Sequence, residues 1–216
     1  MRFVLMLIVA LPLSACAFTN VQVDLPEGIG TGVHGGNGRM IYVNIPFSDM
    51  RPDKTRCGMQ KNGFNMDTAS VICSEEPASW IARMLERELR MAGFEVLGGS
   101  SERVATAVGV DGALLQLFIE PVVWSRGEVE TDIHVKLALQ SNTGFKAERN
   151  FYVKGSLPVM DFSSGIFQAS VIDATSHILV QMIDAIISIM NRYPQLGLID
   201  EQRTDSFLYT RGEGNW

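Results

Sequence analysis

The chain has 216 residues, with 24 acidic and 18 basic side chains and a formal net charge of −6. An acidic chain without a basic cluster lacks the footprint of a nucleic-acid-binding protein, and it excludes charge-driven adsorption to anionic lipid. About 200 residues suffice for one α+β domain with a substantial core.

Met1-Arg2 leads into an apolar run over residues 3–11, and Leu13-Ser14-Ala15-Cys16 follows. A positive start, a short apolar core and small residues before a cut site make a secretory signal. The run is shorter than the ~20 residues a membrane-spanning helix needs. A cysteine directly after the cut gives the lipobox pattern of bacterial lipoproteins, with Cys16 as the lipidated first residue. An uncleaved anchor or an ordinary secretory signal is the plainer reading of the same run. The expected parts are a lipoprotein signal over 1–15, a lipidated flexible tether over 16–38, an α+β domain over 39–193 and a polar tail over 194–216.

Setting Cys16 aside leaves Cys57 and Cys73. In an oxidising compartment an even remainder reads as one disulfide, and closing such a loop stabilises a fold by about 3 kcal/mol. Metal ligation is the alternative, but zinc sites use closely spaced cysteines with histidines, and none lie nearby.

The tether carries Gly28, Gly30, Gly32, Gly35, Gly36 and Gly38. So glycine-rich a segment buries little apolar surface and reads as flexible. It contains G-x-G-x-x-G literally, from Gly30 to Gly35, but without a strand before it or a helix after it the motif makes no nucleotide loop.

Residues 40–46 read as a first strand ended by Pro46. A polar loop follows over 47–74, a length that is usually functional or mobile. Residues 77–92 predict a helix, with Trp80, Ile81, Met84, Leu85 and Leu89 on one stripe. Ser74 is the expected cap, Glu75 and Glu76 suit the positive end, Pro77 fits the first turn, and Gly93 stops the helix. Glu86 and Arg90 form a favourable i,i+4 pair. Residues 94–97 read as a short strand and 102–108 as a short helix.

Three strands then follow in a row. Residues 113–124 are mostly apolar, as in a central strand, with Pro121 marking a bulge or a strand end. Residues 128–140 alternate cleanly between an apolar and a polar face. Ser141-Asn142-Thr143-Gly144 makes a hairpin turn, and residues 145–154 pair back. A long helix spans 163–192, with Ile172, Leu179, Met182, Ile183, Ile186, Ile187 and Met190 on its stripe. Its second half resembles a membrane span, but Gln181, Asp184 and Ser188 favour a core helix. The predicted fold is an α+β two-layer sandwich: a mixed or antiparallel sheet of four to five strands with two helices packed on one face.

The chemistry-bearing residues are sparse. Asp173 and His177 share a helix face, but two groups do not make a metal site, and a surface hydrogen bond is the plainer reading. Glu128, Glu130 and Asp132 point outward from their strand, whereas an acid–base pair needs a carboxyl in an apolar pocket. No Gly-x-Ser-x-Gly elbow occurs. The sequence therefore predicts no catalytic residue, no metal, no cofactor and no small-molecule substrate, and the protein reads as a non-enzyme. Asp49 and Arg51, directly after the first strand, read either as a turn fixed by an ion pair or as part of a docking edge. Phe207, Leu208, Tyr209 and Trp216 in the tail are candidate anchors for a partner, or they pack on the domain.

The lipobox, the strand ending in Phe47-Ser48-Asp49-Met50-Arg51, and the helix exit Leu89-Arg90-Met91-Ala92-Gly93-Phe94-Glu95-Val96 resemble the YajG-like family of bacterial outer-membrane lipoproteins, over about residues 40–192. The resemblance implies an α+β fold, a periplasmic location at the outer membrane and a role in envelope assembly or maintenance. It implies no catalytic residues. Ala17 after the lipidated cysteine, in place of aspartate, fits the outer-membrane address of enteric-type bacteria. The expected function is a lipid-anchored, non-enzymatic adaptor or structural component of an envelope complex, bound to the membrane through its lipid and to an envelope protein through its domain. The alternative is an accessory lipoprotein of a lipid or lipopolysaccharide transport system, which predicts an apolar groove between sheet and helices.

Overall fold

The computed structural model describes residues 19–62, 64–98, 107–122, 127–158 and 164–198. Its elements are, in chain order, β1 (Val21–Val23), β2 (Met40–Val43), β3 (Ser48–Asp49), β4 (Gly58–Lys61), β5 (Asp67–Cys73), α1 (Pro77–Met91), β6 (Glu95–Leu97), β7 (Val108–Val122), β8 (Glu128–Ser141), β9 (Lys146–Pro158) and α2 (Ser164–Arg192). All nine strands join one mixed sheet, which overturns the expected sandwich of four to five strands with two helices on one face. The additional strands β1, β3, β4 and β5 come from the segments read as tether and loop. β1, β3 and β4 each pair with a longer neighbour, and β5 is held between β4 and β1 with Val71 buried.

β7 organises the sheet. One edge pairs antiparallel with β8 from Val108↔Ser141 to Val122↔Glu128. The other edge is shared in turn by β2 at Ile41↔Val108, β3 at Ser48↔Ala113 and β4 at Gly58↔Ile119, all parallel. On that side the sheet divides into a β2–β6 arm and a β4–β5–β1 arm. Pairing on both edges accounts for the apolar composition of β7. Its register shifts between Leu114 and Gln116, while Pro121 stays in register with Val129. The bulge thus falls at Leu115 and not at the proline. At the β4–β7 junction a Cβ on Gly58 would lie 2.0 Å from the Ile119 carbonyl oxygen, so only glycine allows this approach.

α1 begins with Glu76, whose carboxylate accepts from the Ala78 and Ser79 amides; Pro77 opens the first turn. Glu76, and not Ser74, is therefore the cap. Ser74 is used elsewhere, its hydroxyl accepting from the Leu25 amide at 3.2 Å. Gly93, with φ +90°, ends the helix as expected. Trp80, Ile81, Leu85 and Leu89 are buried against the sheet side of the core.

α2 packs against β8 and β9 and touches α1 and β1. By length and composition it would suffice to cross a membrane. Here its apolar stripe, including Phe167, Ile178, Leu179, Met182, Ile183 and Ile186, is 0% exposed, so it acts as the core helix that its polar interruptions predicted. Between α2 and β8 the Thr131 and Ser170 hydroxyls are hydrogen-bonded at 2.6 Å. The predicted helix at 102–108 lies mostly outside the described residues, and Val108 already belongs to β7.

Residues 19–38, read as a flexible tether, instead form a strap bound along the domain. β1 pairs parallel with β5. The Trp80 indole donates to the Pro26 carbonyl at 2.7 Å, and Arg87 donates to the Glu27 carbonyl at 2.7 Å. The amides of Gly35 and Gly36 both donate to the Ala92 carbonyl. The strap is held by its backbone amides and by its apolar side chains together: Val23 and Leu25 are buried in the core, and Val21, Ile29 and Val33 pack against it. The start of the expected tail is also docked: Leu196 is buried, and Met40 donates its amide to the Gly197 carbonyl at 2.8 Å.

Candidate docking surface

The face of the β7–β8–β9 sheet opposite the buried stripe carries the polar half of the β8 alternation. Val129, Ile133, Val135, Leu137 and Leu139 are buried, while Glu128, Asp132, His134 and Lys136 alternate with them and are partly exposed. The outward side chains are cross-linked to β9, mostly between diagonal neighbours of the antiparallel pair, which long side chains can reach. Lys154 Nζ lies 2.7 Å from Glu130 and 3.7 Å from Asp132. The Tyr152 hydroxyl donates to Asp132 at 2.6 Å, and the Ser156 hydroxyl donates to Glu128 at 2.6 Å. Lys136 meets Glu148 at 2.7 Å. The hydrogen bond to Glu130 raises the Lys154 pKa, and the bond to Asp132 raises that of Tyr152, so both groups keep their protons. These carboxylates hold two strands together; Glu128 and Asp132 are partly exposed, as the solvated-face reading expects, but Glu130 is buried at 7% exposure.

Asp49 and Arg51 form a compact knot beside this face. Arg51 Nε and Nη2 donate to the Asp49 carboxylate at 3.0 and 2.8 Å, and Nη1 donates to the Arg56 carbonyl at 3.0 Å. Burial pushes the Asp49 carboxyl up, but hydrogen bonds and charge from Arg51, aided by the Lys54 charge, outweigh it and hold the carboxyl below its ordinary value. Arg51 is only 5% exposed. Its donors are used within the loop, so the pair fixes the loop's position and does not itself present charge to a partner.

The loop borders two shallow depressions over β7. One, of about 330 Å³, is lined by Arg51, Pro52, Leu115, Gln116 and Phe118; the other, of about 240 Å³, by Met50, Ala113, Lys136, Ala138 and Glu148. Met50 is 63% exposed. A larger depression, of about 410 Å³, lies beside α1 and mixes Glu27, Glu75, Arg83 and Arg87 with Trp80.

β9 is the longest edge of the sheet. All its residues from Lys146 to Pro158 lie between the partners Gln140 and Glu128 of β8, and among the described residues no strand pairs on its other side. Half of the backbone groups of such a strand point away from the sheet.

Cys57 and Cys73 are joined as expected, with Cα atoms 5.8 Å apart, tying the start of β4 to the end of β5. Asp173 and His177 are 3.6 Å apart on exposed α2 surface. Among the described residues no group of three potential ligands could hold a metal. Cys16, Phe207, Leu208, Tyr209 and Trp216 lie outside the described residues.

One buried acid went unnoticed in the sequence. Glu88 on α1 is 0% exposed and accepts from the amides of Gly30 and Thr31 at 2.9 and 2.7 Å and from the Thr31 hydroxyl at 2.9 Å. Burial pushes its pKa up, but the bonds from Thr31 and Gly30, with the Ile29 amide, outweigh burial and hold it below the usual carboxylate value. The signal was available: Glu88 falls four residues after Met84 and seven after Ile81, on the buried stripe, where a carboxylate must find partners.

No family model matches the sequence, and no curated protein matches it. A solved structure shares the fold. Protein XCC0632 from Xanthomonas campestris, which carries the family label DUF330, aligns with a TM-score of 0.54 at 10% identity, over 82% of this chain and 99% of its own. An uncharacterised protein aligns with a TM-score of 0.49 at 11% identity, over 78% of this chain and 99% of its own. The likeness to the bacterial DUF330 protein is one of fold, and the function of that family is unknown. The YajG-like label is not among these findings.

Proposed function

We propose that this protein is a non-enzymatic adaptor of the bacterial cell envelope, anchored through Cys16 at the periplasmic side of the outer membrane and docking an envelope protein along β9. The lipobox supports the anchor, the YajG-like motifs support the compartment, and the disulfide accords with export. The observation that carries the docking surface is the outer edge of β9, thirteen residues long, on which no strand pairs among the described residues. An extended segment of a partner adds to such an edge through main-chain hydrogen bonds, and neighbouring side chains set specificity. Exposed Asn150 and Tyr152 would flank that segment, with the depression lined by Lys136 and Glu148 beside them.

The lipid-transport alternative predicts apolar space between sheet and helices. That layer is filled by Ile41, Trp80, Leu85, Leu114, Ile133 and Phe167, each at most 1% exposed, which favours the adaptor reading over that alternative.

The test is photo-crosslinking in cells from Asn150 and Tyr152, with exposed Met91 on α1 as the control position. A discrete envelope-protein adduct from β9 and none from Met91 is expected. Equal or absent adducts at all three positions would refute docking at this edge.

A further inference from the structure

The strap and the β4–β5 hairpin leave the sheet at the same end. β1 runs parallel to β5, with Val21 beside Val71. Tracing both strands backward, the Asn20 side chain accepts from the Ser70 amide at 3.0 Å, and the Thr19 carbonyl accepts from Gln60 at 2.9 Å. Continuing past Ala69 along β5 reaches the hairpin tip within three or four residues.

That tip displays two apolar side chains. Phe64 is 78% exposed and Met66 56% exposed. Among the described residues around the tip, the Asn62 side chain accepts from the amides of Phe64 and Met66 at 2.9 and 3.0 Å. Asn62 also donates its amide to the Met66 carbonyl, and Asn65 takes a positive φ of 60°. Lys61, just before the turn, is paired with Glu120 across the sheet, so it is not a free cation for lipid headgroups.

Cys16 precedes Thr19 by three residues, a reach of at most about 10 Å. The strap is bound to the domain from Thr19 onward, so no long tether intervenes. Resting on the lipidation of Cys16 proposed above, we propose that the β4–β5 tip is a second membrane contact: Phe64 and Met66 enter the headgroup–acyl boundary beside the lipid anchor and fix the orientation of the domain. The occupant of this patch is a lipid surface, because the acylated position lies within a few residues' reach of it. The acyl chains on Cys16 hold the protein at the bilayer, and apolar side chains entering at the same end fix its orientation there. The β9 edge remains available to a protein partner.

The experiment places a nitroxide at position 64 of the full chain, purified from membranes and reconstituted into phosphatidylethanolamine–phosphatidylglycerol vesicles. The same label at Tyr152 is the control. Shielding from a water-soluble nickel relaxant and access to oxygen at 64, with the reverse at 152, is expected. A label at 64 as open to nickel as that at 152 would overturn the proposal, and so would shielding seen only in native membranes, which would indicate a protein seat. Mass spectrometry of the same sample reads the lipid on Cys16 separately, so a lipidated protein with a wet tip sinks this inference alone. A chain without lipid sinks the anchoring proposal instead. In that event co-sedimentation of the chain with the same vesicles still decides the tip. Binding that falls at least tenfold in the Phe64→Ser/Met66→Ser variant supports insertion; undiminished or absent binding overturns it.

Discussion

Glu88 and Thr31 are 57 residues apart in sequence, yet one carboxylate oxygen of Glu88 accepts both the amide and the hydroxyl of Thr31, at 2.7 and 2.9 Å. The other oxygen takes the amide of Gly30. This single side chain clasps the strap to α1. Replacing it with alanine strands buried donors and removes charge-assisted bonds, a loss of about 3 kcal/mol. Urea denaturation of Glu88→Ala should show that decrease. Hydrogen exchange should accelerate in the strap more than in β8, because the latter pairs along its full length on both edges.

Glu88 also makes the clasp sensitive to acid. Its folded pKa is depressed, so its contribution is fully present above the ordinary carboxylate pKa and is lost as pH falls through the lower, folded value. The urea midpoint should therefore be flat between about pH 7 and 5 and fall below about pH 4. Asp49, depressed by Arg51 against the effect of burial, acts in the same direction. Glu88→Gln should flatten part of the acid limb and leave the part due to Asp49. An acid limb unchanged in Glu88→Gln would show that the clasp does not titrate.

The disulfide ties β4 to β5, the arm on which β1 is laid. Cys57→Ser/Cys73→Ser should lose about 3 kcal/mol on the chain-entropy account of a loop this short. The loss should be concentrated locally, with faster exchange in β1, β4 and β5 and little change in β9. Denaturation of the unmodified protein with and without reductant should give the same difference.

How much of this was legible in the sequence varies with the kind of force involved. β8 was plain because one apolar face and one wet face impose a period of two, and its bounds fell within a residue of the prediction. α1 and α2 were plain because their stripes are built from large side chains. β4 and β5 were hidden because their inward residues include Gly58 and Ala69, too small to register as a hydrophobic pattern. β3 is only two residues long. The strap was read as free because its glycines dominate the composition, yet Val23 and Leu25 are buried in the core and its backbone amides bond to α1, neither of which composition records. At the docking surface, the Asp49–Arg51 pair was visible as a fixed turn, while the depression lined by Leu115 lies at a bulge that had no local signature.

The last prediction concerns the joint between the long helix and the sheet. The Thr131 and Ser170 hydroxyls meet at 2.6 Å, both 0% exposed, within an otherwise apolar contact between α2 and β8. Ser170 also lies 3.4 Å from the Val129 carbonyl. Removing one hydroxyl leaves the other buried and short of a partner, whereas removing both leaves an apolar contact of similar shape. Ser170→Ala and Thr131→Val should each destabilise by about 1–3 kcal/mol, and the double variant should lose less than the sum of the two. A double-mutant cycle in urea measures the coupling directly. Additive losses would mean that each hydroxyl is satisfied independently, Ser170 by the Val129 carbonyl, and that the hydroxyl pair contributes nothing to seating the helix.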